Sequence, residues 1–194
     1  MTAMWQLGHR DEDALAAAWR AATPFPYVVL DDVVPAGDLM EVLDEEGVAR
    51  YEADLFVFEA SPPNGLADLR VRFAEALAPL LSRVTGKPVT RADMRAFAYR
   101  PGHYLLPHTD HQAGLERLLS YAYYLPSPEP PRGGELELYR CELENGELAA
   151  TEPAIRIEPR PWRLVVFDVS AVSLHQVREV LGGLRISLAG WFYA

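Results

Sequence analysis

The second half of the sequence is a succession of short β-type runs separated by Gly and Pro. After residue 90 these runs include "MRAFAYRPG", "RLLSYAYYLP", "GGELELYR", "WRLVVFDV" and "LRISLAGWFY", with no helical periodicity between them. Many short strands without intervening helices are typical of an antiparallel sandwich or barrel. The sequence therefore predicts a β core over residues 91–194.

The first half supplies elements that would cover one face of this core. Residues 11–22 predict a short helix, 25–34 a strand, 36–46 a second helix and 49–60 an extended pair. A further helix is predicted from an apolar stripe that closes at a glycine, formed by Leu66, Leu69, Phe73, Leu77, Leu80, Leu81 and Gly86. We predict one domain over residues 1–194, mainly β with helices on one face (α+β), because neither half is long enough to stand alone.

Charge and cysteine content exclude some classes of function. Eighteen basic against twenty-eight acidic residues give a net charge of −10, which argues against a nucleic-acid surface. Cys141 is the only cysteine, so an intrachain disulfide cannot form and no oxidising compartment is implied. The N-terminus lacks the pattern of a signal peptide, and no run reaches the length of a membrane span. We expect a cytoplasmic protein without a membrane partner, and the oligomeric state stays open.

Three side chains suggest a metal site. His108 and Asp110 lie two residues apart in "LLPHTDHQAG", so on one strand they would point to the same face. His175 lies in "VSLHQVRE", a second apparent strand. Two imidazoles and one carboxylate form the facial triad of non-haem iron(II) oxygenases. A lone His-x-Asp is nevertheless common, and His175 by itself equally suits a core or surface histidine.

Arg185 strengthens the metal interpretation. It lies in "LRISLAGWF", an otherwise apolar run, so its side chain either extends outward to solvent or is buried against an anion. A guanidinium can hold a carboxylate through two parallel hydrogen bonds, and Ser187 would face the same way. A metal triad beside such a clamp indicates a site for a carboxylate-bearing cosubstrate.

These motifs, in this order, resemble the 2-oxoglutarate and iron(II)-dependent dioxygenases, specifically their prolyl 4-hydroxylase-like branch. "YRPGHYLLPHTD" is similar to the branch's Tyr-x-Pro-Gly lead-in, and "RLLSYAYYLP", "RGGELELY" and "PRPWRLVVFD" match its later strands. The resemblance implies a double-stranded β-helix (jelly-roll) core. It also implies that His108, Asp110 and His175 bind Fe(II), and that Arg185 and Ser187 hold the distal carboxylate of 2-oxoglutarate.

The resemblance implies further roles for aromatic residues. The Tyr124 hydroxyl would assist the clamp, Tyr99 would line the cosubstrate pocket, and Trp191 would wall the cavity near the metal. His111 fits two interpretations, a residue near the substrate or a plain surface histidine. Arginine at the clamp departs from the lysine that is usual among the branch's peptide hydroxylases, and this weakens the case for a peptide substrate.

The implied activity is oxidative hydroxylation of an unactivated C–H bond, coupled to decarboxylation of 2-oxoglutarate to succinate. It needs Fe2+, 2-oxoglutarate and O2, with ascorbate as a candidate reductant. The alternative is a non-enzymatic, cupin-like barrel that binds a metal or an acid as a sensor or scaffold. Cupins usually carry His-x-His followed by Glu, so the His-x-Asp spelling favours the oxygenase.

The prime substrate is the least constrained part of this interpretation. Two proline-rich loops are candidates for selecting it, residues 59–66 and 127–134. Their acids Glu59 and Glu129, with Asp54 nearby, mildly disfavour an anionic substrate. We expect a small-molecule or peptide partner that offers a neutral or cationic amino-acid-type group for hydroxylation.

Overall fold

The computed structural model describes residues 5–37, 39, 47–63 and 65–194, and these form two helices and a set of antiparallel strands. The helices are Glu12–Ala21 (α1) and Ala67–Thr85 (α2). The strands are Trp5–Gln6 (β1), Tyr27–Leu30 (β2), Val34–Pro35 (β3), Ala49–Ala53 (β4), Phe56–Ala60 (β5), Arg91–Ala92 (β6), Arg95–Tyr99 (β7), Tyr104–His108 (β8), Arg117–Tyr124 (β9), Arg132–Gly133 (β10), Leu136–Glu144 (β11), Glu147–Ile157 (β12), Leu164–Asp168 (β13), His175–Val177 (β14), Val180–Gly182 (β15) and Arg185–Tyr193 (β16).

Both described helices begin or end as their sequences predict. At the start of α1 the Asp11 side chain accepts a hydrogen bond from the Ala14 amide at 3.0 Å, which satisfies a free helix donor. At the end of α2, Gly86 adopts φ 73° and its N–H donates to the Ser82 carbonyl. The apolar stripe predicted for α2 is buried. The helix predicted over residues 36–46 lies largely outside the described residues.

The main sheet follows the order β12-β11-β14-β8-β5-β7-β16-β9-β13-β2, with β4 paired to β5 and β6 paired to β16. All of its described pairings are antiparallel. The extended pair predicted over residues 49–60 is the β4–β5 hairpin. The single strand predicted over residues 25–34 is instead two strands, β2 and β3, because Asp32 between them adopts a positive φ of 57°.

The sheet curls so that its two ends pack against each other. Tyr124 and Phe167, from β9 and β13, share a buried cluster with Leu138 and Ile157, from β11 and β12 at the far end. The opposite face of β9 and β16 packs under α2, whose Phe73 contacts aromatic rings of both strands. The predicted fold, mainly β with helices on one face, is confirmed.

Strand β16 divides its side chains between the two faces with the period of two that a strand imposes. Leu188 and Phe192 belong to the core beneath the helices. Arg185, Ser187 and Trp191 line a cavity in the sheet's interior. The most polar residues of an otherwise apolar strand therefore face the inside of the curl. Neither described helix is both long and apolar enough to cross a membrane.

Candidate active site

His108, Asp110 and His175 converge in the interior. His108 ends β8 and lies directly opposite His175 on β14, with ring centroids 4.3 Å apart. Asp110 places its two carboxylate oxygens 3.9 Å from His108 Nε2 and 3.5 Å from His175 Nε2. One ligand atom from each residue lies within 4.8 Å of the others, a spacing that suits coordination of a single metal ion.

The geometric reason for this convergence differs from the one the sequence suggested. The spacing His-x-Asp predicts two side chains on one face of a strand, but β8 ends at His108 and Asp110 lies in the loop that follows. The Ser120 hydroxyl, from β9, donates to Asp110 Oδ2, and Arg117 Nη1 donates to the Asp110 carbonyl at 3.1 Å. Asp110 is therefore oriented by β9 and not by strand alternation.

Both imidazoles are held with Nε2 available as a ligand. His108 Nδ1 lies 2.9 Å from the Leu106 carbonyl, and His175 Nδ1 lies 2.9 Å from the Ser173 carbonyl. A carbonyl can only accept, so Nδ1 carries the proton in each neutral ring and Nε2 keeps its lone pair. Such hydrogen bonds commonly fix the orientation of metal-binding histidines.

The protonation states favour a cation. Burial, reinforced by the nearby His108, lowers the pKa of His175 to about 4, so this imidazole is neutral at pH 7. Burial alone would raise the pKa of Asp110, but His175, the Ser120 hydroxyl and His108 outweigh it and the pKa is lowered. The cluster therefore presents a neutral His175 imidazole beside an ionised Asp110 carboxylate.

Arg185 forms a buried cationic end to the same cavity. Its side chain is 2% exposed, its Nη1 donates to Ser187 Oγ at 3.2 Å, and its guanidinium carbon lies 4.8 Å and 4.9 Å from the ring centres of Tyr99 and Tyr124. The Arg185 Nε and the Tyr124 hydroxyl are buried without a hydrogen-bond partner. An unpaired nitrogen of the buried guanidinium, together with an unpaired hydroxyl close to it, fits an anionic ligand with several acceptor oxygens.

Tyr99 stays a neutral hydroxyl beside this clamp. Burial raises the pKa of Tyr99 to about 12, although Arg185 opposes the shift. Tyr99 pairs with Arg185 across β7 and β16, so the strand register fixes their proximity. Tyr99 also lines the cavity that holds the triad, and its contact with the cosubstrate stays a prediction.

Gly134 makes room for the clamp. A Cβ at this position would lie 2.8 Å from Val180 Cγ2 and 3.0 Å from Arg185 Cδ, and the residue adopts φ 72°. Any larger side chain would displace the stem of Arg185 and strain the turn. This gives a physical reason for the second glycine of "RGGELELY", a segment that was identified from the sequence only by its resemblance to the family.

The triad and the clamp share one cavity of about 510 Å³. Its remaining walls are mostly apolar and aromatic, formed by residues such as Phe56, Phe58, Phe97, Leu105, Leu136, Phe167, Val177 and Trp191. Trp191 lines this cavity, and its place beside a bound metal stays a prediction. His111 is exposed in the loop after β8 and does not line this cavity, and Tyr124 contacts the clamp without forming part of the wall.

The loops expected to select substrate lie in different places. Pro63, in the 59–66 loop, lines the cavity that holds the triad, whereas residues of the 127–134 loop line a separate one. Asp54, Glu59 and Glu129 lie outside the lining of the triad's cavity. These acids were expected to disfavour an anionic substrate. Because they do not line the cavity, that expectation does not apply to it.

Asp93 is a functional candidate that the sequence did not reveal. Its carboxylate accepts from the Trp191 amide at 2.7 Å and from the Tyr193 hydroxyl at 3.0 Å. Arg117 completes the support, with its guanidinium carbon 3.5 Å from the centre of the Trp191 ring. No local pattern could have indicated these contacts, because they join residues that are far apart in the sequence.

Comparison with known proteins identifies the family. Residues 94–193, which include the triad and the clamp, match the model of the 2OG-Fe(II) oxygenase superfamily. The chain belongs to the 2OG-Fe(II) oxygenase superfamily. It is 31% identical over 186 residues to prolyl 3-hydroxylase OGFOD1 of Xenopus laevis, a match that covers 89% of this chain and 35% of that protein. The chain thus spans about a third of the length of this relative.

Solved structures show the same fold. A prolyl-4-hydroxylase from Pseudomonas putida superposes with a TM-score of 0.64 at 22% identity, covering 92% of this chain and 98% of that one. The epimerase SnoN from nogalamycin biosynthesis, solved with Fe3+ and alpha ketoglutarate, gives a TM-score of 0.66 at 16% identity, covering 94% of this chain and 83% of that one. The predicted jelly roll and the prolyl hydroxylase-like branch are confirmed. Fe(II), 2-oxoglutarate and O2 are the cofactor and cosubstrates of this oxygenase family.

Proposed function

We propose that this chain hydroxylates an unactivated C–H bond of an amino-acid-type substrate, coupled to decarboxylation of 2-oxoglutarate to succinate. The observation that carries the proposal is the juxtaposition, in one cavity, of a His108–Asp110–His175 cluster and an Arg185 clamp with unsatisfied buried donors. The cluster suits Fe(II), and the clamp suits a carboxylate-bearing cosubstrate.

Each group of residues has a task in this proposal. His108, Asp110 and His175 would hold Fe(II), with their orientation fixed by main-chain carbonyls and Ser120. Arg185, with Tyr124 and Ser187, would hold the distal carboxylate of 2-oxoglutarate. When bound, the metal and cosubstrate supply O2 activation and the oxidising equivalents, while the apolar walls exclude water and position the target carbon.

The non-enzymatic, cupin-like alternative is not favoured. Membership of the family and the presence of the Arg185 clamp in the same cavity as the triad both support an oxygenase. Anaerobic titration with Fe(II) and 2-oxoglutarate separates the two. An oxygenase site gives a weak visible charge-transfer band that requires both ligands, and a metal scaffold gives none. An absent band at saturating ligand concentrations would contradict the proposal.

The names of relatives that are prolyl hydroxylases support a proposal for the class of the prime substrate. We propose a neutral or cationic amino-acid-type group, in a free amino acid, a peptide or a small natural product. Succinate release above the substrate-free rate should be measured across amino acids, proline-containing peptides and amine metabolites. Stimulation only by lipids, or by anions without an amino-acid skeleton, would overturn this substrate class.

We further propose that residues 1–194 act as a single oxygenase domain in the cytoplasm. Support for one domain comes from α1 and α2, in the first 90 residues, which share a buried core with β9 and β16 of the second part. Support for the cytoplasm comes from the single cysteine, Cys141, which cannot form an intrachain disulfide. Limited proteolysis checks the first statement: cleavage near residue 90 that leaves a folded, active core would contradict it.

A further inference from the structure

Arg95 lines the cavity of the triad and has no part in the site described so far. It lies on β7, four residues before Tyr99 and two before Phe97, so all three side chains face the interior. Tyr99 pairs with Arg185 across the β7–β16 register, whereas Arg95 pairs with Ala189. Arg95 is therefore about 13 Å along the strand from the cosubstrate clamp, at roughly 3.3 Å per residue.

This position is at the metal's end of the cavity. Ala189, the register partner of Arg95, precedes Trp191 by two residues on the same face of β16. Trp191 in turn pairs with Ser120, whose hydroxyl donates to Asp110. A group bound at Arg95 would therefore lie on the side of the triad opposite Arg185. If 2-oxoglutarate occupies the clamp, the second substrate has to lie on that side.

The Arg95 guanidinium is held firmly in place. Its Nε donates to the Ser61 carbonyl at 2.8 Å, and Ser61 is fixed to β7 by two hydrogen bonds with Ala96. The guanidinium carbon also lies 4.9 Å from the ring centre of Tyr51 and 5.6 Å from that of Phe97. Contacts from the 59–66 loop, the β4–β5 hairpin and β7 leave little rotational freedom, a condition for specific recognition.

The same guanidinium lacks an anionic partner. Its Nη2 is buried without a hydrogen-bond partner, and the described part of the chain offers no carboxylate within 4.0 Å of it. Asp93, the other carboxylate on this part of the wall, is already occupied by the Trp191 amide and the Tyr193 hydroxyl. A buried guanidinium nitrogen without an acceptor is costly, so the site favours a ligand that brings an oxygen.

We propose that Arg95 is a specificity-determining residue that binds an acceptor oxygen of the prime substrate, either a carboxylate or the amide carbonyl that replaces it in a peptide. This inference rests on the proposed function, because it places an amino-acid-type substrate between the metal and the β4–β5 hairpin. The terminal nitrogens remain for the ligand, since Nε is committed to Ser61. An oxygen-binding guanidinium at this place also fits the amino-acid-type substrate proposed above.

The test measures binding directly. The anaerobic protein, loaded with Fe(II) and saturated with 2-oxoglutarate so that Arg185 is occupied, is titrated calorimetrically with N-acetyl-L-proline and with N-acetyl-L-prolinamide. Arg95→Met should weaken binding about 10- to 100-fold, the range for a hydrogen bond to a charged group. The matched control is Arg91→Met, which removes a guanidinium stacked on Tyr193 outside the cavity lining, and it should stay within twofold of wild type.

The two probes distinguish the source of the oxygen. If Arg95→Met weakens the binding of N-acetyl-L-proline alone, Arg95 binds a carboxylate. If it weakens the binding of the acid and of N-acetyl-L-prolinamide equally, Arg95 binds a carbonyl oxygen. Unchanged binding in Arg95→Met, or no binding of either probe by wild type, overturns the inference. If Arg95→Met does not fold, Arg95→Gln, which keeps a donor for the Ser61 carbonyl, is held to the same criterion.

Succinate release with the same probes tests the proposed function separately. Arg95-dependent binding without succinate release would retain this inference and reject the activity on these compounds. Succinate release that is equally efficient in wild type and Arg95→Met would retain the activity and reject the inference.

Discussion

His108 and His175 face each other across β8 and β14 with their Nδ1 atoms tied to main-chain carbonyls, so each directs its Nε2 toward the carboxylate of Asp110. Each ring is held by the main-chain carbonyl two residues earlier in the chain, that of Leu106 within β8 and that of Ser173 just before β14. Metal affinity should therefore depend on the carboxylate and on whatever orients it, because the imidazoles are already fixed.

Asp110→Ala should abolish Fe(II)-dependent succinate formation and lower metal affinity by at least about 100-fold, because one of three protein ligands and its charge are lost. Equilibrium dialysis with Fe(II) under anaerobic conditions measures the affinity. Asp13→Ala, which removes an exposed carboxylate from α1, is the matched control and should behave as wild type. Retention of wild-type turnover by Asp110→Ala would show that the metal lies elsewhere.

Ser120→Ala should lower metal affinity about tenfold, because the hydroxyl that donates to Asp110 Oδ2 orients the carboxylate without touching the metal. Ser120→Thr keeps a hydroxyl and should recover most of the loss, which a purely steric role for Ser120 does not predict. Ser127→Ala serves as the control, because the Ser127 hydroxyl donates to the Glu129 carbonyl and does not contact Asp110. Equal affinities for wild type and Ser120→Ala would remove Ser120 from the site.

Arg185→Ala should raise the KM for 2-oxoglutarate about 30- to 4,000-fold, the equivalent of about 2–5 kcal/mol for truncating one side of a buried charged pair. Arg185→Lys should recover part of this loss as a point charge without the guanidinium fork. Steady-state kinetics with varied 2-oxoglutarate measure both, with Arg160→Ala at an exposed ion pair as control. An unchanged KM in Arg185→Ala would place the cosubstrate at another cation.

Glu137 should control stability in acid. Burial alone would raise the pKa of this carboxyl, but hydrogen bonds from Arg156, Gln176, Tyr139 and Arg178 lower it to about 2. A carboxyl with a depressed pKa in the folded state stabilises above its unfolded pKa, and the stabilisation is lost as pH falls from about 4.5 to about 2. The shift corresponds to about 3 kcal/mol at pH 7.

Urea denaturation of Glu137→Gln at several pH values measures this contribution. The free energy of unfolding should fall by about 3 kcal/mol relative to wild type at pH 7, and the difference should shrink toward pH 2. Glu152→Gln is the control, because its ion pair with Arg140 is exposed and exposed pairs contribute little. A difference between wild type and Glu137→Gln that stays constant with pH would assign the effect to packing instead of charge.

The sequence predicted those secondary-structure elements that are determined by residues close together in the chain. The apolar stripe from Leu66 to Leu81 marks α2 because a helix places every third or fourth residue on one face, and Gly86 ends it because glycine accepts a left-handed conformation. The sequence also predicted that His108, Asp110, His175 and Arg185 would share one site, because few residue types suit the chemistry proposed for them and their order along the chain resembles that of a known family. The four residues do line one cavity, and their roles there stay a prediction.

The remaining features depend on contacts between distant parts of the chain. Strand periodicity put Asp110 on β8, yet the strand stops at His108 and a hydroxyl from β9 directs the carboxylate. The pairing of Ser61 with Arg95 likewise arises only when the loop after β5 folds onto β7. Such contacts depend on which strands pair and in which register. The periodicity of a single sequence does not predict either.

The meeting of β8 and β14 also has a consequence for how the chain acquires its native state. His108 and His175 are far apart in sequence, so pairing their strands closes a long loop that contains β9 to β13, and such non-local pairings form slowly. In the unfolded chain His108, Asp110 and His175 would lie apart, so iron held by these residues would bind the closed form selectively and stabilise it by mass action. Iron supply would then govern how much of the protein survives proteolysis in the cell, in addition to how fast each molecule turns over.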